Sequence, residues 1–231
     1  MKRLIKTGSI LAAALIYVLF TAGCGTLFPE RQIGIEARYY CANKYGFRPG
    51  LTDVQLRKVG ELEGVWHKKD AGTANMSYLG RTFQVYVSLE DPEVRYDNYL
   101  QPDLEEYLTA YFADALACED IQIWATYGVP VCMVPGDVKT VEDIFAKCDN
   151  IVLYVSTVGL NRENAKDLNV TEFGSNTEIN IIDWTSNECL ADWDLMRETV
   201  VGLESDSYTN GFSKFSSFYQ YRNGDVRSLE K

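Results

Sequence analysis

Eleven consecutive apolar residues, Ile10 to Phe20, decide how much of this 231-residue chain is left to fold. Lys2, Arg3 and Lys6 precede the run, and small residues follow it through Gly23. Charged, then apolar, then small is the order of a secretory leader. A membrane-spanning helix takes about 20 apolar residues. Lys6, Thr7 and Ser9 on one side and Glu30 on the other keep the run well short of that. Residues 1–23 are therefore expected to be removed as a signal peptide. The remaining 208 suffice for one substantial domain or two small ones.

The stretch "TAGC", Thr21 to Cys24, resembles the lipobox of bacterial lipoproteins. Ala22 and Gly23 match its small positions, and Thr21 stands where the pattern usually has Leu. The resemblance implies that Cys24 takes a diacylglyceryl group and becomes the first residue of the mature protein. It also implies a lipid-anchored location on the extracytoplasmic face of the cell membrane. Removing the leader takes away three cations and no acids, so the net charge moves from −11 to −14. So acidic a surface argues against nucleic acid as a partner and against electrostatic binding to anionic lipid.

The mature chain reads as α+β, with helices packed on a mostly antiparallel sheet. Residues 24–32 are expected to be a tether, and Ile33 to Tyr45 a helix ending at Gly46. Phe83, Val85, Val87 and Leu89 alternate with polar neighbours as in a half-buried strand. Asp53 to Lys69 is expected to supply one or two more strands. Asp103 to Cys118 reads as a helix with an apolar stripe of Leu104, Leu108, Tyr111, Ala115 and Cys118. Ile121 to Tyr127, "IVLYVSTV" (Ile151 to Val158) and Glu178 to Trp184 read as strands, and Asn187 to Val200 as a helix. Thr140 with Asp143 has the spacing of a capping box. Asn223-Gly224 is a two-residue hairpin signal. Helix–strand–strand order recurs from Ile33, Asp103 and Thr140, which suggests two similar sub-domains, 33–128 and 129–231.

"YCANKYG" (Tyr40 to Gly46), "FQVYV" (Phe83 to Val87) and "YDNYL" (Tyr96 to Leu100) resemble a helix–strand pattern in surface lipoproteins of Gram-positive bacteria. These proteins have no assigned activity, so the resemblance implies a location and no chemistry. Tyr40 and Tyr45 read as core or rim aromatics.

Motifs for catalysis are missing. His67, the single histidine, lies beside Lys68 and Lys69 and reads as solvated; no G-x-S-x-G accompanies it. No H-E-x-x-H, C-x-x-C, Walker loop or G-x-G-x-x-G occurs, so no cofactor, no metal site and no catalytic residue is expected. "DSYTNG" (Asp206 to Gly211) departs from a calcium loop at Tyr208 and Ser217 and reads as a turn. Asp183, in the apolar strand "NIIDW", has apolar residues on both sides and reads as an edge-facing or hydrogen-bonded strand acid. "FSSFYQY" places Phe215, Tyr219 and Tyr221 at period two, which reads as a core face.

Beyond Cys24 there are five cysteines, an odd number. Cys41, Cys118, Cys148 and Cys189 fall on apolar helix stripes, and Cys132 does not. They are expected to be mostly buried, reduced thiols, with a bridge between facing helices left open. The expectation for function is a non-enzymatic, lipid-anchored domain that binds a protein or a cell-wall component. A carboxylate-based hydrolase at the envelope is the alternative. A solute-binding lipoprotein is a third, and for that class the chain is short.

Replacing Cys24 with Ala should release the protein from membranes or leave its leader uncut. Equal amounts of mature-size wild type and C24A in membrane fractions would overturn the anchor.

Overall fold

The structure, a computed structural model, describes residues 29–57, 71–91, 93–128, 132–174, 176–204, 214–222 and 225–230. Cys24, His67 and "DSYTNG" lie outside them. The chain divides into two compact units, meeting between Asp97 and Asn98. The fold is α+β, as the sequence predicts. No described helix is long and apolar enough to cross a membrane.

The first unit is one helix, α1 (Pro29–Tyr45), and an antiparallel meander of β1 (Gly50–Arg57), β2 (Ala71–Tyr78), β3 (Arg81–Ser88) and β4 (Arg95–Asp97). Helix α1 starts four residues before Ile33, inside the expected tether, because Pro29 suits a first turn and Glu30 faces its positive end. It ends at Gly46, whose φ of 79° lets its N–H turn back to the Ala42 carbonyl at 3.1 Å. Its buried face carries Ile33, Ala37, Tyr40, Cys41 and Lys44. Two glycines set how closely it approaches the sheet. A Cβ on Gly34 would stand 2.7 Å from Leu51 Cδ2, and one on Gly72 would stand 2.7 Å from both Ile33 Cδ1 and the Gln55 carbonyl. Phe83, Val85 and Val87 face the core with Ala74 and Met76.

Lys44 closes this core with a charge. Its Nζ lies 2.7 Å from Asp97 Oδ2, and both side chains are almost wholly buried. Tyr40 donates to the same oxygen at 2.7 Å and Tyr45 to Oδ1 at 2.8 Å. The Lys44 ammonium also stands 5.4 Å from the Tyr40 ring centre and 4.9 Å from that of Tyr45. Burial first, and then the Asp97 carboxylate, push the Tyr45 phenol well above its ordinary value, so it stays a donor. The same two causes push the Cys41 thiol up to about 12, against the pull of Lys44.

The second unit holds α2 (Gln101–Leu116), β5 (Ile121–Thr126), a two-residue strand β6 (Val134–Pro135), α3 (Val141–Lys147), β7 (Ile151–Val158), α4 (Arg162–Lys166), β8 (Thr177–Trp184), α5 (Trp193–Glu204), β9 (Phe215–Arg222) and β10 (Asp225–Glu230). Its sheet runs β10-β9-β8-β7-β5. Only β7 and β8 are parallel, joined by a crossover through α4. Helix α5 covers one face, against Ile182, Trp184, Phe215 and Phe218. Residues of opposite parity, such as Leu153, Val155, Ile179 and Ile181, are buried as well, and α2 lies along β5 while α4 touches β9.

Several expectations shift for physical reasons. The two units are not similar: one is a meander under a helix, the other a mixed sheet with a crossover. The boundary falls at 97/98 instead of 128/129 because α2 packs along β5 and belongs with the second sheet. The buried stripe of α2 is Leu104, Leu108, Phe112 and Leu116, a strict four-residue spacing. Tyr111 and Ala115 are half-buried, and Cys118 is buried just beyond the helix end. The expected helix at Asn187 divides into a short 3₁₀ turn, Asn187–Cys189, and α5, whose N-terminus Asp192 caps by accepting from the Leu195 N–H at 2.9 Å. The capping box of Thr140 and Asp143 forms as read. Arg222 pairs with Asp225, as a two-residue hairpin loop requires, although the loop itself lies outside the described residues. Among the described residues, Cys41, Cys118, Cys132, Cys148 and Cys189 form no disulfide; three are buried and two half-buried.

Removing one partner of a buried ion pair costs about 3–5 kcal/mol. Asp97→Ala is expected to fall in that range by urea unfolding, and K44M/D97L should recover most of the loss. A drop under about 1 kcal/mol for the single variant would mean that the pair carries no structural weight.

Candidate functional site

Strand ends of the second unit form an open recess of about 580 Å³. Asp149 and Asn150 precede β7, Asn176 precedes β8, and Thr177 and Glu178 open β8. Arg222 reaches the same place from the end of β9, which runs antiparallel to β8. A parallel pair cannot be joined by a tight turn at adjacent ends. The crossover therefore leaves the starts of β7 and β8 as neighbouring free ends. Asn150 has a φ of 54°, a left-handed conformation that asparagine tolerates better than most residues.

Glu178 is fixed from beneath. Its Oε1 accepts from Asn180 Nδ2 at 2.9 Å and from Gln220 Nε2 at 3.1 Å. Gln220 Nε2 also reaches Asn180 Oδ1 at 3.0 Å, and Asn180 and Gln220 face each other across the β8–β9 ladder. Asn180 is fully buried. The Arg222 guanidinium lies 3.4 Å from Glu178 Oε2. Asn180, Gln220 and Arg222 each bring a donor to the carboxylate, so Glu178 is an acceptor held in one position. Asp149 and Asn150 are exposed on the rim. The recess offers a ligand fixed acceptors, amide donors and one guanidinium, the mixture that recognises hydroxyls and amides.

Asp183 is somewhere else. It lies at the far end of β8, buried, where Oδ1 accepts from the Leu160 N–H at 3.1 Å and Oδ2 accepts from the Ser216 hydroxyl. Of the two readings, edge-facing or hydrogen-bonded, the structure gives Asp183 the second. It ties the start of the crossover and β9 to β8. Ser216 is free to make this bond because it is an extra residue: Asp183 pairs with Ser217 and Trp184 with Phe215. That bulge also corrects a detail. Phe215, Tyr219 and Tyr221 do not share a face; Phe215 packs with Phe218 under α5, while Tyr219 pairs with Ile181 and Tyr221 with Ile179. All are buried, so the aromatics of this strand are core.

Tyr40 is buried and Tyr45 half-buried, as core and rim residues. The recess residues escaped sequence reasoning. Glu178 and Arg222 read as an ordinary strand start and an ordinary strand end, and nothing local pairs positions 44 residues apart. Asn180 and Gln220 carry the available signal: uncharged amides inside apolar strands need each other. Among the described residues no cluster of three or more His, Cys, Asp or Glu is placed to hold a metal. No family model, curated protein or solved structure matches this chain.

Glu178→Ala leaves the buried amides of Asn180 and Gln220 without their shared acceptor. The cost is expected at about 1–3 kcal/mol by urea unfolding. Glu178→Gln keeps an acceptor oxygen and should cost less; a larger loss for Gln than for Ala would refute the donor arrangement.

Proposed function

We propose that this chain is a lipid-anchored extracytoplasmic protein that binds a polar cell-wall component in the recess at the starts of β7 and β8. One observation carries the reading: an open concavity in which the Glu178 carboxylate is held by bonds made beneath it. Glu178 is already positioned by Asn180, Gln220 and Arg222, so a ligand need not order it. The volume of about 580 Å³ falls in the range that holds a small molecule or one or two sugar rings. The leader, the lipobox-like Cys24 and the acidic mature chain support a location at the outer face of the membrane.

Two acids line the recess, Asp149 and Glu178, and this favours the carboxylate hydrolase as the second reading. Binding without turnover separates the two.

The mature protein should sediment with insoluble cell wall and bind soluble wall fragments in a calorimetric titration. Loss of one fixed hydrogen-bonding group costs about tenfold in affinity. Glu178→Ala and Asn150→Ala are each expected to weaken binding by about that factor. Unchanged affinity in both variants would refute the recess as the site, and release of reducing sugar or new amino termini would favour the hydrolase.

A further inference from the structure

Helix α1 has a second face. Arg31, Ile35, Arg38, Tyr39 and Ala42 fall within one third of a turn on the side opposite its buried stripe. Ile35 is 55% and Tyr39 60% exposed, among the most exposed large apolar side chains of the described residues. Arg48 and Pro49, just past the helix, extend this side, and with Ile35, Arg38, Tyr39 and Ala42 they line a shallow hollow of about 380 Å³. The composition is basic, aromatic and aliphatic, in a chain whose net charge is −11.

We infer that this face of α1 lies on the membrane surface, with Arg31, Arg38 and Arg48 on anionic headgroups and Ile35 and Tyr39 at the interface. The inference rests on the anchor at Cys24 proposed above. Five residue steps separate Cys24 from Pro29, a reach of at most about 18 Å even when fully extended. An anchored chain thus holds the start of α1 close to the bilayer. Aromatic and aliphatic side chains flanked by arginines suit that boundary. The acidic total does not prevent it. At physiological salt a charge is felt over about 8 Å, so the leaflet responds to the cations that face it and not to the sum over the chain. Net charge argues against anionic lipid for the chain as a whole, and this face is the inferred local exception.

The test uses the anchored protein purified from membranes and reconstituted into vesicles. One set is phosphatidylcholine alone; the other mixes phosphatidylcholine with phosphatidylglycerol. Water-soluble reagents modify arginine and tyrosine, and mass spectrometry reads the rates at Arg31, Arg38, Arg48 and Tyr39. Each should react about fivefold more slowly on the anionic vesicles, the factor one basic residue gains near an anionic leaflet. High salt should remove the difference, and free arginine and tyrosine derivatives in the same suspension should react equally throughout. In R38Q/R48Q the protection of Tyr39 should disappear while the acyl mass on the Cys24 peptide remains. Equal rates on both vesicles, with the acyl mass present, overturn the docked face alone. A Cys24 peptide without acyl mass overturns the anchor, and the face with it.

Discussion

A carboxylate placed inside an apolar interior must meet a donor for each lone pair it keeps, and both units of this protein are arranged around that demand. In the first unit Asp97 draws Lys44, Tyr40 and Tyr45 onto its two oxygens. All three donors come from the last turn and a half of α1, so the end of the helix is fixed on β4. Gly34 and Gly72 permit the close approach along the rest of the helix, which brings those donors within reach. In the second unit Asp183 collects a backbone N–H from the crossover and a hydroxyl from a bulge. The acid holds three segments at one point. Neither pair of oxygens is left facing hydrocarbon alone.

Net stability is not the main product of such burial. An ion pair taken out of water loses about as much hydration as it regains in attraction. What it supplies is discrimination, because any packing of α1 that separates Lys44 from Asp97 leaves two bare charges in the core. The apolar stripe of α1 is short and rich in small residues, and would by itself tolerate rotation about the helix axis. The charge removes that freedom. This fixes the outward face too, since Arg31, Ile35, Arg38 and Tyr39 are exposed exactly because the opposite side is pinned.

The recess shows the same logic with neutral groups. Asn180 and Gln220 stand across two strands and hand Glu178 a fixed position at the sheet end. The parallel pair provides the place, because its crossover leaves two adjacent strand starts without a connecting turn. A hairpin at that point would have filled the opening. The proposed binding surface is therefore a consequence of one parallel pairing in an otherwise antiparallel sheet.

Much of the local structure was legible in the sequence. Alternation marked β3, the capping box marked α3, and the continuous apolar run of β7 marked a strand. These signals act within a few residues, so no partner is needed to read them. Lys44 on an apolar helix face was a legible anomaly, but its answer, Asp97, lies 53 residues away. The stripe of α2 was misread at Tyr111 because an aromatic fits either a core or a rim, and only packing chose Phe112. Phe215 was assigned to the wrong face because one bulged residue shifts parity, and no local pattern announces an insertion. Strand order, the crossover, the boundary at Asp97 and the meeting of Glu178 with Arg222 were decided by the tertiary structure alone. They depend on which distant segments bury each other's surface, a choice that one sequence does not record in its spacing.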